Sequence, residues 1–313
     1  MRKLSVIVPC YNEEEVVAET HKRLAAVFEA GPCPVELLFV DDGSRDRTLS
    51  ILKDLARADP RVRIIRFTRN FGHQAAVAAG LRYSTGTVAA IIDADLQDPP
   101  EAIPLMLDLM DRECCHVVYG QRVRRRGDGF LKRLTARGYY KVLNAISDVK
   151  FPLDTGDFRI MDRKVIDVFN SLPERNKYIR GLIGWIGFKQ VAYKYARDPR
   201  FAGDTKYTVS RMIKLAADGL FSFSRKPLQL VVRLGLLSVL FALGLGVWAL
   251  VRRILWGAET IPGWASTVAI VLFLGGVQLL STGVLGEYIG SIFDESKRRP
   301  EYVVEELVNM DKE

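Results

Sequence analysis

Hydrophobic runs and amphipathic stretches alternate from the start of the chain. Leu4–Pro9 is a continuous apolar run that predicts a buried strand, and a helical pattern follows over 13–30. Val35–Val40 predicts a second strand and Thr48–Ala58 a second helix. The alternation continues through Val62–Phe67, His73–Tyr83, Val88–Ile92 and Ala102–Met110, with His116–Gly120 as a further strand. Val- and Ile-rich strands without a polar face, separated by amphipathic helices, predict an α/β domain with a mostly parallel sheet covered on both faces. In such sheets ligands collect beyond the carboxyl ends of the strands. Here those ends are polar: Tyr11-Asn12-Glu13, Asp41-Asp42-Gly43-Ser44, Arg69-Asn70, Asp93-Ala94-Asp95 and Gln121-Arg122.

The pattern changes after about Lys226. Leu234–Val251 is 18 residues without a charge and Ala265–Gly286 is 22. A bilayer core needs about 20 helical residues, so the two runs predict a transmembrane hairpin over 227–293, with spans at about 230–252 and 264–287. Arg225, Lys226, Arg233, Lys297, Arg298 and Arg299 outnumber Arg252 and Arg253 of the link, which predicts both termini on the cytosolic side. The boundaries that follow are a soluble domain at 1–207, a juxtamembrane segment at 208–226, the hairpin, and a cytosolic tail at 294–313. Val209–Phe223 fits either an interfacial amphipathic helix or domain core. Gly286 and Gly290 form a GxxxG, compatible with packing within the chain, with a homo-oligomer, or with chance.

Composition narrows the partners. With 49% hydrophobic and 26% charged residues the chain is not disordered, and its net charge of +8 suits an anionic partner. Cys10, Cys33, Cys114 and Cys115 show no metal-ligand spacing, so reduced thiols are expected. PCYNEE after the first strand has none of the glycines a dinucleotide needs, and no GxxxxGK precedes a Ser or Thr. Helix–turn–helix and zinc-finger patterns are missing too, so no nucleic-acid partner is expected.

Asp93, Asp95 and Gln97, just after the fourth strand, can converge on a hard divalent cation, because Mg²⁺ or Mn²⁺ prefers oxygen donors. The competing reading is a solvated turn, with Asp98 capping the next helix before Pro99. Asp41 and Asp42 can accept hydrogen bonds from a base or a ribose, while Ser44 or Asp46 can cap the following helix. The segment from Arg122 to Lys141 is dense in Arg and Lys, which fits a solvated surface or a grip on lipid phosphate.

SVIVPCYNEEE, VDDGSRDRT, RNFGHQAAVAAG, DADLQDPPE and TGDFRIMDRKV, in this order, resemble a family 2 glycosyltransferase of the GT-A fold. Two apolar runs after FAGDTKY narrow the resemblance to polyisoprenyl-phosphate glycosyltransferases of the bactoprenol glucosyltransferase type, related to dolichol-phosphate mannose synthases. Thr205 stands where that pattern has Ser, and His73 where many members have Lys. The resemblance implies that Pro9, Tyr11, Asn12, Glu13, Asp41, Asp42, Asn70, His73, Asp93 and Ala94 line the nucleotide site. It implies a metal at Asp93, Asp95 and Gln97, and acceptor-phosphate contacts from Arg122, Lys132, Arg133 and Arg137. Arg200 and Lys206 would close over the diphosphate, and Asp157 joins Asp95 as the catalytic pair. For Asp157 the competing reading is an ion pair with Arg159 or a turn carboxylate.

The implied activity is inverting, metal-dependent transfer of one sugar from a nucleotide sugar to polyprenyl phosphate at the cytosolic face of the inner membrane. UDP-glucose leads as donor, with UDP-N-acetylhexosamine and GDP-mannose as alternatives. A processive polysaccharide synthase lacks support because no QxxRW-like motif occurs. Against a non-catalytic nucleotide-sugar or lipid scaffold stand the intact DxDxQ cluster and Asp157.

Overall fold

The computed structural model describes residues 3–29, 33–123, 155–174, 177–196, 226–256 and 263–310. These fall in two compact units: the first holds what is described up to residue 196 together with 299–310, the second holds 226–256 and 263–298.

The first unit is one eight-stranded sheet with helices against it. Its elements are β1 (Leu4–Cys10), α1 (Val17–Phe28), β2 (Val35–Asp41), α2 (Thr48–Ala58), β3 (Val62–Phe67), α3 (His73–Tyr83), β4 (Val88–Ile91), α4 (Ala102–Arg112) and β5 (Val117–Arg122). Then follow β6 (Thr155–Asp162), α5 (Arg163–Ser171), α6 (Ile179–Ile186), β7 (Gln190–Tyr195) and, far along the chain, β8 (Val304–Val308). The sheet order is β7-β5-β6-β4-β1-β2-β3-β8. Strands β3, β2, β1 and β4 are mutually parallel, as the alternation predicts. β6 runs antiparallel between β4 and β5, and β7 lies parallel to β5.

Three features depart from the sequence reading. TGDFRIMD, read as a motif without a strand, forms β6 because Phe158, Ile160 and Met161 are fully buried in the sheet. Gln190–Tyr195 also forms a strand. Within the segment read as a tail, 304–308 becomes β8, antiparallel to β3. That pairing covers an edge that would otherwise present unpaired backbone groups. Ion pairs Lys53–Glu306 (2.7 Å) and Arg66–Glu305 (3.2 Å) flank it, and the Asn309 amide donates to the carbonyls of Ala56 and Val62 at 2.9 Å each. Tyr302 stacks on the buried Phe67 ring at 4.9 Å.

α3 sits tightly on β1. A side chain at Gly80 would place its Cβ 2.2 Å from Ile7 Cγ2, so the missing methylene sets the height of the helix and of His73 at its start. The four cysteines are free.

The second unit is a pair of helices in contact, α7 (Lys226–Trp256) and α8 (Trp264–Ser296), which extend beyond the predicted spans. Among the described residues no helix is long and apolar enough to cross a membrane. The segments 208–225 and 124–154 lie outside the described residues.

Gly80→Val should lower stability by about 2 kcal/mol or more through overpacking against Ile7, outweighing its effect on helix propensity. Thermal unfolding of the purified protein would read this as a drop in midpoint, and an unchanged midpoint would contradict the packing described.

Candidate active site

The loops that leave β1 and β2 are stitched together by side-chain-to-backbone hydrogen bonds. Asn12 N–H donates to Ser44 Oγ (3.0 Å), Arg45 N–H to Asn12 Oδ1 (2.9 Å), and Glu13 N–H to Thr48 Oγ1 (2.9 Å). Asp46 accepts from the Thr48 N–H at 3.0 Å just ahead of α2, while the N-cap position itself is Arg47, with no side-chain cap; neither Ser44 nor Asp46 is the N-cap. Asn12 takes a positive φ of 53° to make these contacts, a conformation its short polar side chain tolerates. Of the residues expected around a nucleotide, Asn12 is thereby committed to building the loop. Pro9 is buried in β1, Tyr11 and Glu13 are half-buried beside it, and Asn70 is exposed.

The two aspartates after β2 divide their work. Asp41 accepts from the Ser44 N–H at 3.2 Å, and its Oδ2 is buried with no hydrogen-bond partner. Burial pushes this carboxyl above its ordinary range, against the Ser44 bonds. Asp42 accepts from the backbone N–H groups of Phe71 (2.6 Å) and Gly72 (2.9 Å), so both oxygens hold the loop that begins α3. Gly43, which follows Asp42, has φ +67°, and a Cβ there would lie 2.5 Å from the Arg69 carbonyl carbon. Only glycine satisfies both conditions.

Beyond β4 the chain alternates. Asp93, Asp95 and Gln97 are half-buried, while Ala94, Leu96 and Asp98 are buried. The three candidate metal donors are the more accessible residues of the segment. The Gln97 N–H donates to Asp95 Oδ1 at 3.1 Å, and Leu96 takes φ 56°. Asp93 Oδ1 is buried and accepts no hydrogen bond; His73 Nε2 lies 3.6 Å from it. Burial, together with the carboxylates of Asp157, Asp98 and Asp95, pushes Asp93 up to about 6, against His73. Among the described residues no three His, Cys, Asp or Glu side chains form a metal cage. The donor set of two carboxylates and an amide still fits a hard cation that keeps positions open for substrate oxygens, and the orphaned Asp93 oxygen is one such donor.

Asp98 is not a helix cap. It is fully buried and accepts from the Tyr195 hydroxyl, while α4 starts at Ala102 after Glu101 with no side-chain cap. Asp98 Oδ2 also faces Arg122 Nη2 at 3.9 Å.

Asp157 lies on β6 and is buried. Its carboxylate meets Arg180 Nε at 2.7 Å on one oxygen and Arg180 Nη2 at 3.0 Å on the other. His73 Nε2 is 3.2 Å away and the Gln74 side-chain amide donates at 3.4 Å. Against the cost of burial, Arg180 and His73 hold Asp157 well below the ordinary carboxylate range. His73, despite its own burial, is pushed up to about 9 by Asp157 and Asp93. The competing reading, an ion pair with Arg159, is not what the structure shows. The buried Arg159 guanidinium donates instead to the carbonyls of Gly156 (3.1 Å) and Asp157 (3.3 Å).

Arg122 ends β5 beside this group. A Cβ on Gly156 would come 2.5 Å from Arg122 Nη2, so the guanidinium rests on the backbone next to Asp157. The structure thus brings Asp93, Asp157, His73 and Arg122 together, with Asp95 and Gln97 on the segment that leaves Asp93. Lys132, Arg133, Arg137, Arg200 and Lys206 lie outside the described residues. Arg180, Gln74 and Tyr195 escaped sequence reading, because no local spacing links Arg180 to a carboxylate 23 positions earlier.

The arrangement is a charged, partly buried site at the carboxyl end of a parallel sheet. Comparisons with known proteins agree with it. A profile described as glycosyl transferase family 2 matches residues 5–169, and one described as a GtrB C-terminal hairpin matches 226–292. An uncharacterized glycosyltransferase of Bacillus subtilis, YkcC, is 47% identical over 96% of this chain and 93% of its own. A prophage bactoprenol glucosyl transferase homolog of Escherichia coli is 40% identical over 97% of this chain and 99% of its own. The bactoprenol glucosyl transferase of Shigella phage SfV is 40% identical over 96% of this chain and 98% of its own. Among solved structures, the mannosyltransferase PcManGT of Pyrobaculum calidifontis, in complex with GDP-Man and Mn²⁺, superposes with a TM-score of 0.50 at 18% identity, covering 95% of this chain and 88% of that one. This last likeness speaks to the fold. With a GT-A-like sheet, a strand-end acidic site and relatives aligned over nearly its whole length, the chain belongs to the family 2 glycosyltransferases.

Proposed function

We propose that the protein transfers a single sugar, glucose from UDP-glucose first among the candidates, to polyprenyl phosphate at the cytosolic face of a membrane. The observation that carries this reading is the match to proteins named bactoprenol glucosyl transferase over 96–97% of the chain, hairpin segment included.

The site chemistry supports it. Asp93, Asp95 and Gln97 would hold a Mg²⁺ or Mn²⁺ ion. Bound there, the cation would offset negative charge on the departing nucleoside diphosphate. Asp42 fixes the loop 71–72 against β2, and Asp41 at the strand end keeps one oxygen that accepts no hydrogen bond. The acceptor is a phosphate monoester whose second ionisation lies near pH 6, so its oxygen is nucleophilic at neutral pH without a base. Asp157 agrees with that demand, since a carboxylate held far below its ordinary range is a poor proton acceptor. Its role in this reading is a fixed negative charge that orients the sugar and favours positive charge at the anomeric carbon. Arg122, against Gly156, is placed to meet the incoming phosphate from the side of Asp157. Direct displacement from one face inverts the anomeric centre.

Membrane residence rests on the two uncharged runs in the sequence and on apolar surface in the second unit. Leu236, Phe241 and Trp248 on α7 and Val271, Phe273 and Ile292 on α8 are all exposed. Water tolerates such surface poorly and lipid accepts it. The charge distribution around the hairpin favours the catalytic domain and both termini on the cytosolic side.

Transfer of label from a panel of UDP-glucose, UDP-N-acetylglucosamine and GDP-mannose to undecaprenyl phosphate tests the reading. Chelation with EDTA, or Asp95→Ala, should reduce glycolipid formation by about a hundredfold or more. Full activity after either treatment would exclude the metal site. Arg122→Ala should raise the KM for the lipid phosphate by about tenfold and leave the KM for the nucleotide sugar within about twofold. Equal effects on both would remove Arg122 from the acceptor side.

A further inference from the structure

We infer that Arg180 is a positioning residue for sugar transfer, acting through Asp157. The inference rests on the glycosyl-transfer reading above and adds to it a residue that no motif marks.

Three observations converge on Arg180. First, its contact with Asp157 is a fork: Nε and Nη2 each meet a different carboxylate oxygen, at 2.7 and 3.0 Å. A fork fixes the rotation of the carboxyl plane, which a single contact cannot do. Second, the element that carries Arg180 is registered to the same site. The Ile179 N–H donates to Gln74 Oε1 at 3.0 Å, and the other end of that Gln74 amide reaches Asp157 at 3.4 Å. Buried Ile179, Leu182 and Ile183 anchor α6 beneath the contact. Third, among the described residues the other cation on Asp157 is shared. His73 Nε2 lies 3.2 Å from Asp157 and 3.6 Å from Asp93, so it cannot by itself fix either carboxylate.

An ion pair this deep contributes little net stability compared with apolar packing of the same volume. What the fork does supply is orientation: it holds Asp157 ionised, in one rotamer, with its position tied to the start of α6. Without Arg180, Asp157 is left to His73 and the crowd of carboxylates around Asp93.

A double-mutant cycle tests this. Wild type, Asp157→Asn, Arg180→Gln and the double variant are compared in transfer to undecaprenyl phosphate and in release of nucleoside diphosphate from the donor to water, with thermal unfolding as a check. Arg180→Gln should lower kcat by about thirtyfold with both KM values within about threefold, and Arg180→Lys should recover only a small part, because an ammonium cannot fork. In the Asp157→Asn background, Arg180→Gln should cost less than about threefold, the mark of a residue acting through its partner. Multiplicative losses, a rise in KM in place of a fall in kcat, or full recovery by Arg180→Lys would overturn the assignment. Should Arg180→Gln alone fail to fold, the neutral double variant compared with Asp157→Asn still reads the coupling. A wild type that transfers sugar while the variants behave additively refutes the role of Arg180 alone. A wild type that turns over no nucleotide sugar refutes both readings.

Discussion

His73 stands between two carboxylates, Asp157 at 3.2 Å and Asp93 at 3.6 Å, and the site is organised around that shared positive charge. Asp41, Asp42, Asp93, Asp98 and Asp157 are buried or nearly so at one end of the sheet. Burying carboxylates is costly unless each finds a cation or hydrogen-bond donors. The chain answers differently at each position. Asp42 takes two backbone amides, Asp98 a tyrosine hydroxyl, and Asp157 a guanidinium fork. Asp93 is left the least satisfied, with an oxygen that accepts no hydrogen bond and a titration pushed up to about 6 by burial and its acidic neighbours. Asp41 and Asp98 also keep one oxygen without a hydrogen bond, but both residues are fully buried, whereas Asp93 beyond β4 is only half-buried.

Much of this was legible in the sequence because the first 120 residues obey local rules. Each parallel strand is a short apolar run, the helices other than the largely buried α3 are amphipathic, and the polar strand ends mark the site. β6 was not legible for a physical reason. Asp157 and Arg159 are buried polar residues in a central strand, satisfied by partners that are distant in sequence or by nearby carbonyls, so the segment carries no clean alternation. β8 was hidden for a related reason. It is an edge strand whose Glu305 and Glu306 find their basic partners on β3 and α2, and before pairing it reads as a charged tail. Asp93, Asp95 and Gln97 could be singled out as candidate metal donors because two carboxylates one residue apart follow a buried strand, and the structure leaves Asp93 Oδ1 without a hydrogen bond. Arg180 was not, because its meaning exists only after α6 packs.

β8 also extends the site's support outward. Tyr302 stacks on Phe67, Phe67 meets Phe71 edge-on at 5.8 Å, and the Phe71 amide is one of the two held by Asp42. Residues that follow the helical hairpin in sequence therefore brace the loop beside the proposed nucleoside pocket. The chain leaves the catalytic sheet, runs through two long helices and comes back to complete the sheet's edge. That connectivity makes the hairpin an insertion within the folding unit rather than an appended anchor.

The electrostatics also bear on how little proton chemistry the reaction asks of this fold. A hydroxyl acceptor needs a base whose affinity for protons lies near the working pH, and enzymes raise carboxylates by burial to supply one. Here burial alone would raise Asp157, yet Arg180 and His73 more than reverse it. The arrangement would be wasteful if Asp157 had to take a proton, and it is apt if the nucleophile arrives already ionised. A phosphate monoester does so at neutral pH. The low proton affinity of Asp157 thus fits the proposed acceptor, whose nucleophilic oxygen needs no base.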